Sequence, residues 1–210
     1  MVKFTAAKLL TTITLAILFN TTLLHHLTVA TTTESLDEST TSSPSSTDNA
    51  EFFHTCSEGN YPKFKSLLTT NNPKDLIHST TPDGEHCLHL VAISGNTQIA
   101  TTLLKNGADP DIRSTWKNGL RMHPLSWNTF YGRFEIVELL LQYGADVEAD
   151  FDLNVGSGGM GELEKVTVLD VVEKILSSEM EEEERMRFVK TRNVLMRYGA
   201  VRYATVEPEL

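Results

Sequence analysis

His86, Cys87 and His89 stand together on one short stretch, and His54 and Cys56 on an earlier one. Imidazole nitrogens and thiolate sulfurs are the ligands of tetrahedral zinc, so these five side chains are the chain's candidates for a metal site. Their spacing argues against one, because no second ligand pair with finger-like spacing backs the i, i+3 histidines. A second candidate chemistry is phosphate binding. Gly156-Ser157-Gly158-Gly159-Met160-Gly161 satisfies G-x-G-x-x-G, whose bare backbone amides can lie against phosphate oxygens. That fingerprint carries meaning only between a strand and a helix of a βαβ unit, and this copy sits in an insertion between repeated segments, so it reads as a loop. Asp170 and the other His, Ser and Asp residues share no nucleophile, base and orienting-acid motif. The expectation is a chain with no catalytic residues, no cofactor and no metal.

The elements that must position these residues come in copies. Residues 86–109 read HCLHLVAISGNTQIATTLLKNGAD and residues 123–146 read HPLSWNTFYGRFEIVELLLQYGAD, so Leu88, Gly95, Ile99, Leu103, Leu104, Gly107, Ala108 and Asp109 return as Leu125, Gly132, Ile136, Leu140, Leu141, Gly144, Ala145 and Asp146. A recurrence of this length marks a stacked helical array, in which no unit buries its apolar face alone. Leu88, Leu90, Val91 and Ala92 predict a short first helix stopped at Gly95, and Ile99, Leu103 and Leu104 a second stopped at Gly107. The alanines allow close backbone packing, and Asp109 and Asp146 are placed to accept hydrogen bonds from the turning chain.

The pattern resembles the ankyrin repeat family, on Asp83-Gly84, Leu88-His89, Ala92, Gly95-Asn96, Leu103-Leu104 and Gly107-Ala108-Asp109, and again on Pro124-Leu125, Gly132, Leu140-Leu141 and Gly144-Ala145-Asp146. Weaker copies flank these: one from Phe52 to Leu68 with Gly59, and one opening at Thr167-Val168-Leu169-Asp170 and closing at Gly199-Ala200. The resemblance implies an all-α helix-turn-helix solenoid of about four repeats over residues 50–205, with degenerate outer repeats and long inter-repeat loops at 111–122 and 147–166. It also gives His89 a structural role, fixing the next loop. The chain departs from the family at His86 and His123, where Thr is usual, and at Ser126 and Asp170, where His is usual; these side chains normally tie neighbouring loops together.

Residues 1–30 carry Lys3 and Lys8, an apolar run from Leu9 to Phe19, no acid, and a small-residue finish at Thr28-Val29-Ala30, the pattern of a secretory signal peptide with a mature start at Thr31. The alternative is an uncleaved membrane anchor through residues 9–30, interrupted by Asn20, His25 and His26. Residues 31–49 are Ser, Thr and acids around one proline and read as a disordered linker; residues 206–210 are a tail.

The net charge of -10, with no basic stripe outside the last helix, argues against nucleic acid. The run 179–184 followed by Arg185, Arg187, Lys190 and Arg192 reads as a solvated face, with Glu181–Arg185 and Glu183–Arg187 as i, i+4 pairs. Cys56 and Cys87, the two cysteines, could pair in an oxidising compartment, but they fall toward opposite ends of neighbouring first helices and read as free, half-buried thiols.

What remains is a recognition surface. The family's variable positions, carried across by residue, are Pro82, Asp83, Glu85, Ile93 and Ser94 in one repeat, and Gly119, Leu120, Met122, Phe130 and Tyr131 in the next, with Trp116 in the inserted loop. Asp83, Glu85, Ile93, Trp116, Leu120, Met122, Phe130 and Tyr131 are the expected partner-binding set, with the aromatic members as anchors. The reading is a non-catalytic protein-binding module, secreted or lumenal, whose partner is an unidentified protein. The alternatives are a membrane-anchored scaffold, and a ligand-binding protein or enzyme using the glycine loop or the His/Cys cluster.

Overall fold

The computed structural model describes residues 46–115, 121–149, 151–152 and 165–202. All of its elements belong to one unit that begins at Ser43. The first repeat contains α1 (Ser46–Glu58), α2 (Tyr61–Thr70) and the short α3 (Pro73–Ile77), and the second contains α4 (Cys87–Ser94) and α5 (Thr97–Lys105). The third contains α6 (Pro124–Phe130) and α7 (Phe134–Gln142); a two-residue antiparallel ladder, β1 (Phe151–Asp152) with β2 (Lys165–Val166), leads to the fourth, α8 (Val168–Leu176) and α9 (Glu182–Arg197). The first helices α1, α4, α6 and α8 stack in one row, and α2, α5, α7 and α9 in a second. Four repeats are thus present, and α1 starts at Ser46, inside the stretch read as linker.

Local sequence explains where each helix starts and stops. Asn60, Asn72 and Asn96 cap α2, α3 and α5, accepting from the amides of Lys63, Lys74, and both Gln98 and Ile99. Gly95 ends α4 at φ +70, a left-handed conformation that glycine adopts without steric cost. A Cβ at Gly95 would also lie 3.0 Å from the Arg133 guanidinium, so this turn is a docking point as well as a stop.

The core lies between the rows. Leu88, Leu90, Ile99, Leu103, Leu125, Ile136, Leu140 and Leu195 are fully buried, each side chain contributing about 1.5–3 kcal/mol from leaving water. Ala108 and Ala145 are buried at the repeat ends, as their size requires. Asp109 Oδ1 accepts from Asp111 N at 2.9 Å and Asp146 Oδ1 from Glu148 N at 2.9 Å, the turn-closing bonds expected of them.

Two sequence expectations fail. Cys56 and Cys87 are not half-buried thiols: both are buried, with Cα atoms 5.7 Å apart, and joined in a disulfide. Their offset in repeat register is taken up where α1 packs along α4, and Ser94 Oγ reaches the Cys56 carbonyl in the same place at 2.8 Å. The i, i+4 pairs on α9 are also absent. Arg185 turns back to donate to the carbonyls of Leu176 at 3.1 Å and Ser178 at 3.2 Å, closing the α8–α9 turn and satisfying carbonyls left without intrahelical partners, whereas an exposed ion pair adds little. Among the described residues no helix is long and apolar enough to cross a membrane.

Candidate recognition face

Residues 81–85 form a closed loop tip before α4. Thr81 N–H donates to the Glu85 carbonyl at 2.9 Å, Gly84 N–H to the Thr81 carbonyl at 2.9 Å, and Glu85 N–H to Thr81 Oγ1 at 3.1 Å, while the Thr81 hydroxyl donates to the Glu85 carboxylate. Glu85 is therefore turned inward and buried instead of projecting toward a partner. Burial raises its pKa above the ordinary carboxylate value, opposed by the Thr81 hydrogen bond and reinforced by nearby Asp83. Pro82 and Asp83 stay accessible. Gly84, at φ +80, abuts Thr115, so the tips before the second and third repeats touch.

His89 fixes the next loop. Its Nδ1 accepts from His86 N–H at 3.0 Å, which leaves Nε2 protonated to donate to the Met122 carbonyl at 3.1 Å. Complete burial pushes its pKa down to about 3, so the ring is neutral and both nitrogens are engaged. Burial also lowers the pKa of His86, with His78 adding to the effect. His123 Nδ1 donates to the Asp111 carbonyl at 2.7 Å. With Cys56 and Cys87 oxidised, the His/Cys cluster offers no thiolate, and among the described residues no three His, Cys, Asp or Glu side chains converge to hold a metal.

Of the expected set, the structure brings one pair of side chains into contact among the described residues. Phe130 and Tyr131 meet edge-to-face at 5.8 Å, both half-buried. Met122 is half-buried and held through its carbonyl, and Ile93 is half-buried with its carbonyl accepting from Arg133 Nη2 at 2.6 Å. Ser94, placed on the same edge, is tied to the Cys56 carbonyl. Trp116, Gly119 and Leu120 lie outside the described residues, as do the glycine loop 156–161, the leader and the tail.

One residue was missed by sequence reasoning. Trp127 is half-buried and lies edge-on to the His89 ring at 6.0 Å, and with Phe130 and Tyr131 it completes an i, i+3, i+4 aromatic face. That spacing was the available signal. The arrangement presents large, partly exposed apolar side chains at the C-terminal end of α6, which suits binding.

Residues 52–150 match the family model described as ankyrin repeats (3 copies). The fold is an all-α ankyrin solenoid, and the structure adds a fourth repeat beyond the matched segment. No curated protein matches the chain. Ankyrin repeats are generally protein–protein interaction modules and typically non-catalytic.

Proposed function

We propose that this chain is a non-catalytic protein-binding module of the secretory pathway, released from a leader cleaved after Ala30, and that it grips a protein partner through Trp127, Phe130, Tyr131, Met122 and Ile93. The observation that carries the binding reading is the aromatic face on α6, because rigid, partly exposed aromatics are what protein interfaces use as anchors. The compartment is supported by two independent features, the signal-like residues 1–30 and the buried Cys56–Cys87 disulfide, since such bonds persist where the medium is oxidising. Neither nucleic acid nor a metal belongs to this reading. Partner capture from the lumen or medium tests it. Alanine at Tyr131, with Trp116 as a second site, should weaken capture roughly tenfold or more while the melting temperature stays near wild type, and Trp127→Ala should weaken capture while also lowering the melting temperature, because its ring packs on His89. Intact capture alongside a lowered melting temperature would show that these aromatics serve the fold.

A further inference from the structure

Equivalent positions act differently at successive seams of the array. Between the first and second repeats, beside the disulfide, Ser94 Oγ donates to the Cys56 carbonyl at 2.8 Å and Asn96 Nδ2 to the Gly59 carbonyl at 2.8 Å. One repeat on, Arg133 stands at the Asn96 position and donates from Nε to the Ala92 carbonyl at 2.8 Å and from Nη2 to the Ile93 carbonyl at 2.6 Å. The His89 bond to Met122, and Asn128 Nδ2 donating to the Leu88 carbonyl at 3.3 Å, close the same seam.

Among the described residues these devices are gone at the third seam. Ile175 stands in the place of Ser94, and the N-cap of α9, where α5 has Asn96 and α7 has Arg133, is Glu181, a carboxylate that cannot donate to a carbonyl. Ser126, in the place of His89, is buried with an unpartnered hydroxyl. Thr129 Oγ1, also on α6 and fully buried, has no partner either. What crosses the seam among the described residues is apolar packing, chiefly Phe188 against Gly132, together with Lys190 over the Phe134 ring at 4.8 Å and an Arg197–Glu138 ion pair at 2.8 Å that is largely in solvent. An unpartnered buried oxygen gains a hydrogen bond when water reaches it, so these atoms favour opening, whereas the polar bonds at the other seams oppose it.

We propose that the fourth repeat, α8 with α9, opens from the array as one cooperative unit at the α6–α8 seam while the first three repeats stay stacked. Opening wets Ser126 and Thr129 and frees the end of α6 that carries Phe130 and Tyr131. The weakness is specific to this end, since the other terminal repeat is cross-linked to its neighbour.

Hydrogen exchange on the full, oxidised chain tests it. Amides of α8 and α9 should share one opening rate, roughly tenfold or more faster than those of α4 to α7, while α1 exchanges no faster than α4. Exchange of α8 and α9 in step with α6 and α7, or equal lability of α1, overturns the proposal. Thr129→Ala and Ser126→Ala each remove an orphan hydroxyl and should slow exchange of α8 and α9 about threefold or more, with α4 and α5 unchanged. Faster exchange in both variants would show that the hydroxyls hold the seam closed, and would equally overturn it.

Discussion

The seam between the first two repeats and the seam between the last two both bury apolar side chains yet are closed by different means. Buried Cys56 and Cys87 meet at one, and buried Phe188 packs on Gly132 at the other. Only the first adds a covalent bond and side chains that reach the carbonyl ends of the preceding helix. Apolar burial holds repeats together without fixing their register, and directional bonds supply the register. Similar helices can thus make a rigid joint at one end of the array and a compliant one at the other.

Truncations of equal size separate the two ends most strongly. Leu103→Ala, in the fully buried row of the second repeat, should cost about 2–5 kcal/mol and lower the main unfolding transition in urea. Leu195→Ala, equally buried in α9, should leave that transition nearly in place and shift only probes on α8 and α9. A common shift for both variants would mean that all four repeats unfold as one.

Removing the staple comes next. The disulfide links positions separated by 31 residues, so reduction, or Cys56→Ala with Cys87→Ala, should cost about 3–4 kcal/mol by chain entropy. The urea midpoint with and without reductant reads the loss, and exchange of α1 and α2 should rise toward that of α8 and α9. Arg133→Ala removes two charge-assisted bonds to the α4 carbonyls and should cost about 1–3 kcal/mol, making the second seam behave like the third. Exchange of α4 relative to α6 is the measurement for that variant.

Acid gives a smaller, graded version of the same test. His89 has a folded pKa near 3 and an ordinary value of 6.5, so between those limits the unfolded chain binds a proton that the folded chain refuses. Stability therefore falls as pH falls through that window, by up to about 1.4 kcal/mol per pH unit for each such histidine. His86, also lowered, acts in the same direction. Glu85 opposes them: its raised pKa gives stability that is present at low pH and lost as pH rises through the folded value. Melting temperatures between pH 7 and 5 should fall, and His89→Gln should flatten the slope.

Much of the architecture was legible in the residues. Gly95, Gly107, Gly132 and Gly144 stop helices, and the paired leucines before Gly107 and Gly144 glue them, so the alternation announced both rows. The departures at Ser126 and Asp170 pointed to where the inter-repeat bonds change: Ser126 is left unpartnered, while Asp170 instead closes a capping box with Thr167, accepting from its amide at 3.1 Å. The disulfide was not legible, because repeat register places Cys56 and Cys87 on different turns and says nothing of how closely α1 lies along α4. Glu85 misled for a related reason. A charged residue in a loop reads as exposed, and only the Thr81 turn folds it inward. Trp127 sat in plain view at the position of Leu90 but was assigned to no face.

Intact mass with N-terminal sequencing of the protein from its native cells and medium tests the proposed secretory placement and the Cys56–Cys87 staple most directly. The account predicts a chain beginning at Thr31, found in the lumen or medium, with a polypeptide mass two hydrogens below that of the dithiol form. A chain that retains Met1 with both cysteines free to alkylation would contradict it.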